Sequence, residues 1–241
     1  MQQHEISPEV ITELIQFLSP NIPRYLRQQA LDYIVGLSAS NQFNIIFQMK
    51  NFLLGRSLCR LACEDNVDEN CVISSLINVS SADVKCAGYI ASNSELIQQC
   101  IGYCRDDNVP RSLNAAKLLS NLSLHFPDKL YHALIKDWKD ATADIITRLN
   151  GTSLCEVTDY LGYILVNLTS VAKVRCLLCD KFRQILRLVD CSERPKRRLI
   201  AIDILRNLCF EKMLYKTREL RAKDKRERED DLEKRKLWLM N

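Results

Sequence analysis

The sequence predicts an all-α solenoid built of repeats, and three observations carry that prediction. Four short strings recur along its 241 residues: LINVS (Leu76–Ser80), LLSNLS (Leu118–Ser123), ILVNLT (Ile164–Thr169) and ILRNLC (Ile204–Cys209). Their asparagines, Asn78, Asn121, Asn167 and Asn207, lie 43, 46 and 40 residues apart. Around each asparagine, positions −6, −3, −2 and +1 fall on one helical face. They read Val72/Ser75/Leu76/Val79, Ala115/Leu118/Leu119/Leu122, Leu161/Ile164/Leu165/Leu168 and Ala201/Ile204/Leu205/Leu208. The same frame set 42 residues before Asn78 gives Ala30/Tyr33/Ile34/Leu37, with Gly36 in place of the asparagine. Only Ser75 among these positions is neither apolar nor aromatic, and unrelated amphipathic helices would not share one frame at near-constant spacing. Finally, six Gly and six Pro leave little material for the tight turns of a β-rich chain.

The spacing lies in or near the range of armadillo and HEAT repeats, about 40–47 residues per two- or three-helix unit. The expected architecture is therefore an armadillo/HEAT-like right-handed solenoid of about five repeats, the first degenerate. One repeat domain occupies residues 1–209, and a charged tail, helical or disordered, occupies 210–241. Shorter amphipathic pieces fill the intervals: Phe43–Lys50, Leu53–Cys63, Ser94–Cys104, Lys129–Asp137, Ala141–Leu149, Val171–Cys179 and Phe182–Val189. Loop signals separate them at Ser19-Pro20-Asn21, Asp106 to Pro110, Asn150-Gly151 and Ser192 to Pro195. Pro110, Ser153 and Pro195 sit just upstream of framed helices, where a start signal belongs.

Composition narrows the class. The N-terminus MQQHEISPEV lacks a signal-peptide pattern, and no apolar run approaches the roughly 18 residues of a membrane span. Eleven cysteines, an odd number at irregular spacings, read as reduced thiols used as small core hydrophobes. A cytoplasmic location is expected, with a nuclear one open. Sequons occur at Asn78, Asn121, Asn150 and Asn167, but three of them are the repeat motif itself on packed helices, so glycosylation is not expected.

Catalytic and metal patterns are nearly absent. Cys176-Leu-Leu-Cys179 is the only CxxC, it has no second pair at zinc spacing, and burial on a helix is expected for it. His125 and His132 are expected in loops. No phosphate loop, GxSxG elbow or HExxH occurs. No enzyme, metal or cofactor is expected.

A solenoid acts through the exposed side of its inner helices. Offsets 0, −4 and −7 from the asparagine lie on one side of the helix, roughly 110° from the centre of the apolar stripe. They read Asn78/Ser74/Cys71, Asn121/Lys117/Asn114, Asn167/Tyr163/Tyr160 and Asn207/Asp203/Ile200. The candidate groove residues are Asn78, Asn114, Lys117, Asn121, Tyr160, Tyr163, Asn167, Asp203 and Asn207. A carboxamide ladder offers a donor and an acceptor at each step to an extended backbone. The alternative is that each Asn bonds a neighbouring backbone and fixes the repeat junction. Arg194, Lys196, Arg197 and Arg198 read as a solvated helix start rather than a nucleic-acid patch. The last 32 residues hold 11 Lys/Arg and 8 Asp/Glu, a mixture of signs that argues against a nucleic-acid arm.

Some stretches resemble a known family. ELIQFLSPNIPRYLRQQALDYIVGLSAS (Glu13–Ser40), NLTSVAKVRCLL (Asn167–Leu178) and RRLIAIDILRNLCFE (Arg197–Glu211) resemble the Hgh family of eukaryotic armadillo-like proteins. The resemblance covers roughly residues 10–211, and Asn207-Leu-Cys-Phe-Glu211 is its most specific string. It implies a cytosolic chaperone or adaptor that helps translation elongation factor 2 to fold and links it to the cytosolic chaperonin. The family continues with further helices where this chain turns into its charged tail. Leu237, Trp238, Leu239 and Met240 are placed to fold back over the last repeat, whose flank would otherwise face water.

The expected function is thus a non-catalytic, protein-binding adaptor, with neither membrane nor small-molecule substrate. The competing reading is a generic armadillo scaffold for extended peptides, of the import or signalling type. Import adaptors of basic signals pair a groove Trp with each Asn, whereas Trp138 and Trp238 lie off this ladder. An enzyme using Cys176 and Cys179 is the third reading.

Overall fold

The computed structural model describes residues 8–40, 42–64, 69–106, 111–153, 155–190 and 194–209. Among them are thirteen α-helices and no strand. They are α1 (Pro8–Phe17), α2 (Arg24–Ser38), α3 (Phe43–Ala62), α4 (Glu69–Ala82), α5 (Val84–Ile90), α6 (Ser94–Arg105) and α7 (Ser112–His125). Then come α8 (Pro127–Asp137), α9 (Ala141–Asn150), α10 (Glu156–Leu168), α11 (Ala172–Asp180), α12 (Phe182–Val189) and α13 (195–209).

The framed helices α2, α4, α7, α10 and α13 form one layer. α2 packs on α4, α4 on α7 and α7 on α10. α13 meets α10 where Gly162 admits Ile200, whose Cδ1 would lie 2.8 Å from a Cβ at that glycine. A second layer holds α1, the later half of α3, α6, α9 and α12. α1 packs on α3, α3 on α6 and α9 on α12. The first half of α3, α5, α8 and α11 link the layers. The apolar frame is the core: every framed position of α4, α7 and α10 is buried, and in α13 only Leu205 is half-exposed. Ser75 is buried as well, and its hydroxyl donates to Cys71 O at 3.0 Å, so the polar exception is satisfied within its own helix. Tyr33 departs from the frame at 50% exposure, because α2 has no framed helix before it among the described residues.

α3 breaks where the sequence separates two pieces. Met49 is extended, and Lys50, Asn51 and Phe52 follow with φ of 48°, 56° and 59°. Three left-handed non-glycine residues are costly, and neighbouring packing must hold them. Phe52 stacks on Tyr89 at 4.3 Å between centroids, and Phe47 meets both rings edge-on. Gly55 makes room for this cluster, since a Cβ there would sit 2.8 Å from the Phe47 ring.

Helix starts are locally specified. Asp83 accepts from Cys86 N at 2.8 Å to open α5, and Asn93 from Leu96 N at 3.1 Å to open α6. Pro195 opens α13 and Ser153 precedes α10, whereas Pro110 lies outside the described residues. α1 and α5 add to the pieces read from sequence. At seven residues, α5 is too short to display a period. His125 and His132 are helical, not in loops: α7 runs two residues past the motif to His125, and α8 starts at Pro127, carrying His132 in its interior. The tail, 210–241, lies outside the described residues.

Candidate partner-binding surface

Each ladder asparagine reaches back to the framed helix before it. Asn78 Nδ2 donates to Ser38 Oγ at 2.8 Å, and Asn207 Nδ2 to Thr169 Oγ1 at 2.8 Å. Asn121 Nδ2 donates to Ile77 O and Ser80 Oγ, both at 3.1 Å. Asn167 Nδ2 donates to Ser120 O at 3.1 Å and to Ser123 Oγ at 2.9 Å. Every acceptor hydroxyl sits two residues after the ladder position of its own repeat. Each also donates three residues back: Ser38 to Val35 O, Ser80 to Ile77 O, Ser123 to Ser120 O and Thr169 to Val166 O.

The N-x-S/T pattern is therefore a joint between repeats. The Asn closes the seam behind it, and the hydroxyl receives the Asn of the next repeat. This is the junction role weighed in the sequence, and it engages the amide nitrogens. Among the described residues none donates to the four amide oxygens, and the four asparagines themselves are half-exposed.

A second row of ties runs through the other layer. Arg60 donates to Leu18 O, Gln99 to Cys63 O, and Arg148 to Cys104 O and Arg105 O. Each side chain caps carbonyls left open at the end of an earlier helix. Arg197, on the framed helix α13, reaches across to the end of α9 in the same manner. It donates to Leu149 O and Gly151 O at 3.0 Å each and to Ser153 O, and it pairs with Asp159 at 3.2 Å. Arg197 is 2% exposed, so the basic cluster is not wholly a solvated helix start. Lys196 and Arg198 are exposed, while Arg194 ties down Gly151 O. Nothing in the sequence distinguishes Arg197 from its neighbours except its register one turn before the buried Ala201.

The surface itself is the −4 row. Tyr163 is exposed and meets Tyr160 edge-on at 5.9 Å, and Lys117 lies 5.7 Å from the Tyr160 ring centre. Lys117, Tyr160 and Tyr163 thus form one aromatic–cationic strip across α7 and α10, with half-buried Asn114 beside it. Asp203 on α13 pairs with Arg206 at 3.2 Å. Ile200, at −7, is fully buried against Gly162 and belongs to the core. Leu124, 63% exposed one turn beyond Asn121, joins the exposed row without any sequence signal.

The thiols divide sharply. Burial pushes Cys59 and Cys86 up to about 12 and Cys63 to about 11, and it drives fully enclosed Cys100 well above the ordinary thiol value. These are inert core groups. Cys176 and Cys179 are exposed on α11, against the expectation of burial, because the buried face of that helix is carried by Val174 and Leu178. Among the described residues no group of His, Cys, Asp or Glu could hold a metal, and no helix is long and apolar enough to cross a membrane.

No family model matches the chain. Two curated proteins named "Protein HGH1 homolog" are similar to it. The one from Drosophila pseudoobscura pseudoobscura is 28% identical over 227 residues, spanning 86% of this chain and 60% of the relative. The one from Xenopus tropicalis is 26% identical over 222 residues, spanning 85% and 58%. The chain thus spans under two thirds of the length of the curated relatives it matches. Two engineered proteins with solved crystal structures share its fold, at TM-scores of 0.66 and 0.63 and 14% and 15% identity. They cover 83% and 82% of this chain, and the match spans 47% and 78% of their own. The chain is thus similar along about 85% of its length to curated proteins named HGH1 homolog, and it carries that likeness on a helical-repeat fold.

Proposed function

We propose that this chain is a non-catalytic, protein-binding adaptor of about five repeats that assists the folding of translation elongation factor 2 together with the cytosolic chaperonin. The resemblance to the Hgh family supplies the client. The observation that supports binding is the strip of Lys117, Tyr160 and Tyr163, raised on a layer of helices fastened to one another at every step. Aromatic rings beside a cation on a rigid support suit protein contacts, since they bury area at little cost in side-chain entropy. The free amide oxygens of Asn121 and Asn167 would accept backbone N–H groups of a bound segment. A generic scaffold for extended peptides uses the same strip and differs only in its client.

The test is capture from eukaryotic cytosol with the parent chain, a Lys117→Ala/Tyr163→Ala variant and an Asn121→Ala/Asn167→Ala variant, blotting for elongation factor 2 and chaperonin subunits. Capture by the parent and loss in Lys117→Ala/Tyr163→Ala at unchanged melting temperature supports the adaptor and its surface. Capture by the parent and both variants moves the surface elsewhere. No capture by the folded parent refutes the client assignment.

A further inference from the structure

A cavity of about 300 Å³ opens where α6, α7 and α8 meet, and none of the strip residues Lys117, Tyr160 and Tyr163 lines it. Its position follows from the sharp corner between the last two helices. Phe126 alone separates α7 from α8, and Pro127 starts α8 with the fixed φ that suits a first turn. α8 then lies back across α6 and α7. At the corner the tip of the Phe126 ring rests against α5, because Gly88 has no Cβ: one there would lie 3.0 Å from the ring's Cζ. The floor is Ile97, Leu122, Phe126 and Leu130, all buried except Phe126, which is half-buried.

The rim carries charge of one sign. Its exposed residues are Ser92 and Ser94 on one lip and Lys129, His132 and Lys136 on the other. The last three recur at helical spacing and so share one face of α8. Lys129 Nζ donates to Ser92 Oγ at 2.9 Å and spans the two lips. Asp137, the one carboxylate among the described lining residues, is half-buried, and its Oδ2 is enclosed without a hydrogen bond. Asp128 and Glu95 are exposed on the same helices but do not line the cavity. An apolar floor therefore lies beneath two lysines two turns apart, about 10 Å along the helix axis.

We propose that this cavity is a second docking site, for an acidic amphipathic helix of a partner protein. One large apolar side chain of that helix enters the cavity between two carboxylates that meet Lys129 and Lys136. Carboxylates at i and i+7 with the apolar anchor at i+4 share one helical face and match the two-turn spacing of the lysines. The volume of about 300 Å³ is at the lower end of small-ligand pockets and suits the single buried anchor of a protein contact. A nucleic-acid backbone would use the lysines and leave the apolar floor wet.

The experiment follows the fluorescence anisotropy of a labelled, alanine-rich helical peptide titrated with the full chain. The peptide carries glutamates at i and i+7 and phenylalanine at i+4, and a reference peptide carries lysines in place of the glutamates. The parent is expected to bind the glutamate peptide with a micromolar Kd that weakens as salt rises, and to ignore the lysine peptide. Lys129→Glu/Lys136→Glu is expected to weaken the glutamate peptide by about tenfold or more and to gain the lysine peptide, at unchanged melting temperature. Ala133→Phe fills the cavity and is expected to lose the glutamate peptide with both lysines in place. A parent that binds neither peptide, or both alike, overturns the proposal, as does either variant binding as the parent does. Loss in Lys117→Ala/Tyr163→Ala equal to that in the charge-reversed variant also overturns it, since the strip is then the site. A parent dimer that Ala133→Phe dissolves assigns the cavity to a second copy and overturns it too.

Discussion

Asn167→Ala tests the seam directly. The side chain donates two part-buried hydrogen bonds across α7 and α10, at 3.1 and 2.9 Å, and Ala removes both. No buried donor is orphaned in its place. Ser123 Oγ keeps its own bond to Ser120 O at 2.7 Å, and Ser120 O remains an acceptor of that bond. The loss is therefore about two net hydrogen bonds, about 1–3 kcal/mol, without an added desolvation penalty. For a domain of this size that lowers Tm by roughly 2–4 °C per kcal/mol. Urea and thermal melts followed by circular dichroism measure it, and Asn150→Ala is the control. Asn150 is also a sequon asparagine, but it bonds Ile146 O in its own helix, and its loss is expected to cost less than half as much. A double-mutant cycle with Ser123→Ala isolates the seam and is expected to give coupling of at least about 0.5 kcal/mol. Equal melts for Asn167→Ala and the parent, or zero coupling to Ser123, would falsify the joint.

Other predictions follow the same logic. Gly162→Ala places a Cβ 2.8 Å from Ile200 Cδ1 and 3.2 Å from Leu149 Cδ2, so it is expected to destabilise by about 1–3 kcal/mol despite better helix propensity. Gly36→Ala and Gly102→Ala meet nothing within 4 Å and are expected to stabilise by up to about 1 kcal/mol, readable in the same melts. Arg197→Ala leaves Asp159 and the carbonyls of Leu149 and Ser153 without their cation and is expected to cost about 3 kcal/mol or more. The Cys86 backbone N–H holds the Asp83 carboxyl below its ordinary 3.8, so its capping contribution is present above about pH 4 and lost as pH falls through the lower folded-state value. Asp83→Asn keeps a cap that does not titrate, and its melts are expected to lose less stability than the parent's in that window. Native thiol labelling near neutral pH is expected to tag Cys176, Cys179 and Cys209 quickly and to spare Cys59, Cys86 and Cys100 until unfolding.

The framed helices were legible because a repeated core leaves the same apolar positions at the same intervals. Val72, Leu118, Ile164 and Ile204 are all buried as the frame requires. α5 was not legible because seven residues hold too few turns for a period to stand out. The break in α3 was visible as two pieces, but its left-handed residues were not, because Lys50 and Phe52 are not residues that announce that conformation. The ladder asparagines were found while their acceptors were passed over, since Ser80, Ser123 and Thr169 looked like parts of sequons rather than recipients from another helix. Arg197 was read with its neighbours as solvated, because burial of a cation depends on carbonyls about 44 to 48 residues away in sequence.

The two rows of ties have a mechanical consequence. Asparagines pin one layer and Arg60, Gln99 and Arg148 the other, so adjacent repeats are held at two separated points. A stack pinned once per step can pivot like a string of beads, but one pinned twice resists shear and torsion like a ladder with two rails. Stretched from its ends, such a body should extend little while its seams hold and then yield in discrete steps as each pair of pins lets go. Its compliance would be set by hydrogen bonds a few residues wide rather than by the hydrophobic core.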